Sequence, residues 1–182
     1  VAAKPFKGMT LFFADFDRRR ITVREIEKLG RAAVDSNEIF IDNLEVPEED
    51  VVGQVGEGFY HLLDSLNPER ILTGIEAVGI GKAALERAVQ YAKERIVFDR
   101  PIGKNQAIAH PLAQAWARLE TAELMCWKAA WLFDHGRPCG AESNTAKLVA
   151  AEAGFEACDV ALQTFGGYGY AKEFYVERLW RE

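Results

Sequence analysis

Sulfur, histidine and excess positive charge are all scarce in this chain of 182 residues. Cys126, Cys139 and Cys158 are odd in number and show no Cys-x-x-Cys spacing, which argues against a disulfide framework or a zinc site. They read as reduced thiols, which fits the cytoplasm. His61, His110 and His135 keep no metal-ligand spacing, so no metal is expected. Twenty-two Lys and Arg against 28 Asp and Glu leave a net charge of −6, a poor match to nucleic acid. No apolar run approaches bilayer length and the first residues do not read as a signal peptide, so no membrane partner is expected. What remains is 49% hydrophobic and 27% charged, the mix of a globular protein with a real core.

Two periodicities divide the chain. Thr10–Ala14 and Glu38–Ile41 are aromatic or β-branched runs bounded by Asp, Asn, Gly and Pro, and Ile21–Val23 is a weaker third. Residues 1–54 therefore predict part of a sheet too small to stand alone. From Gly56 the period becomes helical. Asn67 is expected as an N-cap, Pro68 as the first helical residue, and Glu69 as a complement to the helix N-terminus. Ile71, Ile75, Val78, Leu85, Val89, Ala92 and Ile96 keep a 4-3 spacing broken only by Lys82. A second helix carries Ile108, Leu112, Ala115, Leu119, Ala122, Cys126, Ala129 and Phe133 at the same spacing, and Gly136 ends it. A third presents the small residues Ala146, Val149, Ala150, Ala153, Ala157 and Val160, and a fourth starts near Glu173. The expected fold is α+β: a partial antiparallel β-domain (1–54), then an up-down four-helix bundle (55–182).

Three segments carry chemistry. In Gln163-Thr-Phe-Gly-Gly-Tyr-Gly-Tyr170 the glycines follow a helix, whereas a dinucleotide-binding Gly-x-Gly-x-x-Gly precedes one. Gly166 and Gly167 are either a left-handed helix cap or a stretch of bare amides open to a ligand. Arg95-Ile-Val-Phe98 is either a dipole-favoured terminal arginine with a core phenylalanine, or a clamp for a phosphate and a ring. Asn67-Pro-Glu-Arg70 completes the set.

The ordered series Lys28–Arg31, Ile39–Pro47, Gly53–Phe59, Glu69–Ile71, Tyr91–Phe98, Gln106, Gln163–Gly167 and Val176–Arg178 resembles the acyl-CoA dehydrogenase family. The resemblance covers essentially the whole chain. It implies a missing N-terminal helical domain, the second half of a middle β domain in 1–54, and most of a C-terminal helical domain in 55–182. It further implies a homodimeric or homotetrameric FAD enzyme that acts on an acyl-CoA thioester and reduces an electron-transfer flavoprotein. Glu69 matches one of two family positions for the catalytic base; the other lies beyond residue 182. Asn67 and Arg70 match substrate-side positions. Arg95, Val97, Phe98 and Gln106 match flavin contacts, and Gln163, Thr164, Phe165, Gly166 and Gly167 match a loop that touches the neighbouring subunit's dinucleotide. Asp99 departs from the family glycine, an acid that is unhelpful near flavin phosphates unless it points away. The chain by itself is expected to be inactive. An acyl-CoA oxidase or flavin monooxygenase on the same scaffold, or a non-catalytic assembly or acyl-CoA-binding module, are the competing readings.

Overall fold

The computed structural model describes residues 7–182, which divide into two compact units on either side of the Leu66–Asn67 boundary. In the first, β1 (Leu11–Phe12) pairs antiparallel with β4 (Val51–Val52), and β2 (Ile21–Glu25) with β3 (Asn37–Ile41). The register of β2 and β3 sets Ile21 opposite Ile41 and Val23 opposite Ile39, so the weaker sequence candidate is a full five-residue partner. Ile21 is buried, but Phe13, Ile39, Phe40 and Ile41 all stand exposed. Among the described residues these apolar side chains have no cover.

Helix α1 runs Gly58–Glu94, α2 Gln106–Asp134, α3 Gly140–Phe165, and the short α4 Val176–Arg181. The first boundary corrects the sequence expectation. Asn67 caps nothing, and Pro68 lies inside the helix rather than at its first position. Glu69 consequently lies about three turns from the start, too deep to complement the N-terminus. An interior proline removes its own bond to the carbonyl of Asp64 and crowds that carbonyl with its ring, yet the helix continues through it. Upstream, Phe59, Leu63 and Leu66 are half-buried at steps of four and three, out of register with the seam from Ile71 by one residue.

Within residues 67–182 the core follows the predicted seams. Leu112, Ala115, Leu119, Ala122, Cys126 and Ala129 of α2 are buried, as are Ala146, Ala150, Ala153 and Ala157 of α3. Ile71, Val78, Leu85 and Ala92 supply the face of α1. Phe133, Val89 and Ile96 fall off the seam and are exposed. Lys82, the one charged interruption, bonds to Glu120 at 2.7 Å and Glu123 at 2.6 Å and lies 5.3 Å from the Trp116 ring centroid. Its alkyl stem can therefore line the seam while its ammonium meets two acids at the rim.

All three cysteines are buried and unpaired. Burial pushes the Cys158 thiol up to about 11 and the Cys126 thiol upward as well, with Glu123 adding to the latter. At pH 8 about one Cys158 thiol in a thousand would be ionised. Peptide mapping after treatment with a thiol-alkylating reagent should thus find these three unmodified in the native protein and modified after denaturation. Rapid native labelling would contradict this packing.

Candidate functional site

Tyr91 lies in the last turn of α1, and Arg95 follows the helix with its N–H donated to the Tyr91 carbonyl at 2.8 Å. The chain then turns back in a two-residue hairpin, β5 (Ile96–Val97) with β6 (Arg100–Pro101). Both turn residues have positive φ, 52° at Phe98 and 60° at Asp99, the requirement of a type I′ turn. That explains the departure from the family glycine. Asp is one of the few other residues that tolerates a left-handed backbone, and here it is exposed at the tip. Phe98 is 93% exposed, so it is not the core phenylalanine that was one reading of the sequence. Phe98 thus leaves a large apolar surface uncovered at the hairpin tip among the described residues.

At the end of α3, Gly166 adopts φ 61° and ψ −133°, which differs from a left-handed cap and is open essentially to glycine alone. Its N–H donates to the Gln163 carbonyl, so this amide is not bare as the glycine run suggested. Residues Gly166–Tyr170 form a 3-10 turn. Gly169 is buried against α3: a β-carbon there would lie 2.2 Å from the Leu162 carbonyl oxygen. The absent side chain lets the turn fold back on the helix.

These two segments meet. Tyr91, Arg95, Val97, Ile102, Thr164, Phe165, Gly166, Gly167 and Tyr168 line one cavity of about 440 Å³. Arg95, Val97 and the 164–167 loop are thus adjacent within one subunit. Gln106, Gln163 and Phe98 do not line it. Sequence reasoning missed Tyr91, Ile102 and Tyr168. Tyr91 was findable, because it precedes Arg95 by one helical turn and shares its side.

Both α1 and α3 end here, so their carbonyl termini contribute negative partial charge. Arg95 is the cation that opposes it. Among the described residues no carboxylate pairs with Arg95; its guanidinium carbon instead lies 5.8 Å from the Tyr168 ring centroid. A cavity with a free guanidinium, two glycines open to close approach and aromatic walls suits the phosphate-bearing end of a dinucleotide. A larger groove of about 1420 Å³ between α1 and α2 gathers none of the site residues expected from sequence.

Glu69 lies elsewhere. Twenty-five residues separate it from Glu94 at the end of α1, about 38 Å along the axis at 1.5 Å per residue. It is exposed, as is Leu72, while Ile71 turns into the core, so among the described residues no apolar neighbours enclose it. Arg70 donates to Asn67 Oδ1 at 3.3 Å, and the Thr73 hydroxyl donates to the Glu69 carbonyl at 3.0 Å. Asn67, Glu69 and Arg70 therefore share one stretch of helix, remote from the cavity. Among the described residues no group of three His, Cys, Asp or Glu could hold a metal, and no helix is long and apolar enough to cross a membrane.

Residues 56–182 match the family model for the acyl-CoA dehydrogenase C-terminal domain. An acyl-CoA dehydrogenase of Bacillus subtilis is 42% identical over 176 residues, covering 96% of this chain and 46% of that protein. The butyryl-CoA dehydrogenase of Megasphaera elsdenii superposes with a TM-score of 0.92 at 33% identity, covering 98% and 47%. A chain from the structure of the electron transferring flavoprotein of Acidaminococcus fermentans gives 0.90 at 32%, covering 94% and 46%. The chain spans just under half the length of each.

Proposed function

The chain belongs to the acyl-CoA dehydrogenase family, and from that membership we propose that it serves in flavin-dependent α,β-dehydrogenation of an acyl-CoA thioester. The observation that carries the reading is the single cavity that gathers Arg95, Val97 and Thr164–Gly167, segments some seventy residues apart in sequence. Arg95 would hold the dinucleotide phosphates, with Gly166 and Gly167 allowing close approach of the backbone. When bound, FAD supplies the acceptor for the hydride that leaves the β carbon. Glu69 takes the proton from the α carbon onto its carboxylate, and Asn67 and Arg70 order the substrate beside it.

An exposed glutamate is a weak base toward a thioester α-proton. Its desolvation has to come from the acyl chain itself and from protein outside this helix. The distance along α1 adds a second requirement. Glu69 and the Arg95 cavity are too far apart to serve one flavin within one subunit, so each active site takes its base and its phosphate contacts from different chains. A homodimer is the smallest assembly that works, and two such pairs make a homotetramer. Trp127, Trp131 and Phe155, all half exposed or more, supply apolar surface for it. The proposed electron acceptor is an electron-transfer flavoprotein, and the proposed compartment is the cytoplasm.

The test is anaerobic. The complete gene product should be isolated with bound FAD, and a panel of acyl-CoA thioesters should bleach its absorbance and pass electrons to an electron-transfer flavoprotein. Bleaching followed by stoichiometric peroxide in air would assign an oxidase instead. Absence of any bleaching, with FAD bound, would leave the non-catalytic reading.

A further inference from the structure

Resting on the reading that Arg95 meets the dinucleotide phosphates, we infer that Tyr168 is a positioning residue for flavin binding, its ring holding the Arg95 guanidinium over the cavity. An exposed arginine has many rotamers, and a site that uses it must restrict them. A carboxylate would do so at the cost of the N–H donors that a phosphate needs. A ring does it differently: it takes the guanidinium from its face and leaves the in-plane donors free. Tyr168 stands in that place, 5.8 Å from centroid to guanidinium carbon.

The ring is itself fixed. Tyr168 stacks on Phe174 with centroids 4.9 Å apart, and Phe174 tilts against Phe165 at 5.6 Å. Phe165 stacks on Tyr91 at 4.2 Å, and the Tyr91 carbonyl accepts the Arg95 N–H. The path from Arg95 through four aromatic rings returns to Arg95. Gly169, pressed on the Leu162 carbonyl, anchors the backbone next to Tyr168. An aromatic ring between two glycines of the loop is thereby set against an arginine seventy residues earlier.

The experiment is a double-mutant cycle on FAD affinity, with apoprotein prepared from the complete gene product. Tyr168→Leu removes the ring face and should weaken FAD binding roughly two- to fivefold, the value of an exposed cation–π contact. Tyr168→Phe keeps the face and should bind as wild type does. Arg95→Met should weaken binding more, and adding Tyr168→Leu to it should cost nothing further. Equal losses for Leu and Phe, or an additive double variant, would overturn the positioning role while leaving Arg95 as the phosphate contact. An Arg95→Met protein that binds FAD normally would overturn both.

Discussion

Glu69→Gln in the complete gene product should lower the rate of the anaerobic half-reaction with acyl-CoA by about 10²–10⁴-fold, the usual cost of removing a general base. The substitution keeps the size and most hydrogen bonding of the side chain while it removes the group that receives the α-proton. The helix should be untouched: position 69 is exposed, and its backbone is held by the interior of α1 and by the Thr73 hydroxyl on its carbonyl. FAD content should also hold, because the near-isosteric amide removes only the carboxylate charge and leaves the proposed phosphate contact at Arg95 unchanged. Loss of turnover with retained flavin and retained acyl-CoA binding is thus the expected pattern. Turnover within a few-fold of wild type would move the base to another segment and leave Glu69 as an ordinary helix-surface glutamate.

Gly154→Val should destabilise the bundle substantially. Gly154 of α3 is buried against α1, and a β-carbon there would lie 2.6 Å from the Ala77 carbonyl oxygen and 3.3 Å from the Ala77 side chain. Across the same contact, a β-carbon at Gly81 would meet Leu119, Ala157 and the Gly154 backbone. The obstacle at Gly154 is backbone, which does not rotate away, so α1 and α3 must separate. Overpacking of this kind costs about 1–3 kcal/mol and sometimes more. The better helix propensity of valine over glycine returns only a few tenths. At roughly 2–4 °C per kcal/mol, Tm should fall by several degrees. A Tm within about 2 °C of wild type would show that the helices do not cross in direct contact here.

The two substitutions probe features of different legibility. The seams of α2 and α3 could be read from residue type, because burial of one helix face depends only on a 3.6-residue period and needs no knowledge of the partner. Leu112 through Ala129 and Ala146 through Ala157 are buried where that period places them. The strands near Leu11, Ile21 and Ile39 were legible from their residue types, although Ile21–Glu25 was undervalued; Val51–Val52, the partner of the first, and the hairpin after α1 were too short to show a period.

Local rules failed where tertiary context outweighed them. Asn67-Pro68 has the residues of a helix start, yet the helix begins at Gly58 and runs on through the proline. Phe98 has the character of a core residue, but a two-residue hairpin lifts it into solvent. The sequence motifs named Arg95 and Gly166–Gly167 as separate ligand contacts. Only packing of the end of α1 against the turn after α3 makes them one cavity, adds Tyr91 and Tyr168 to it, and sets Glu69 apart from both. Periodicity, charge balance and family membership follow from the order of residues, since each is a property of neighbours along the chain. The grouping of side chains into sites was decided by long-range contacts, whose closure depends on close-packed interfaces such as Gly154 on Ala77 and Gly169 on Leu162 that no local pattern encodes.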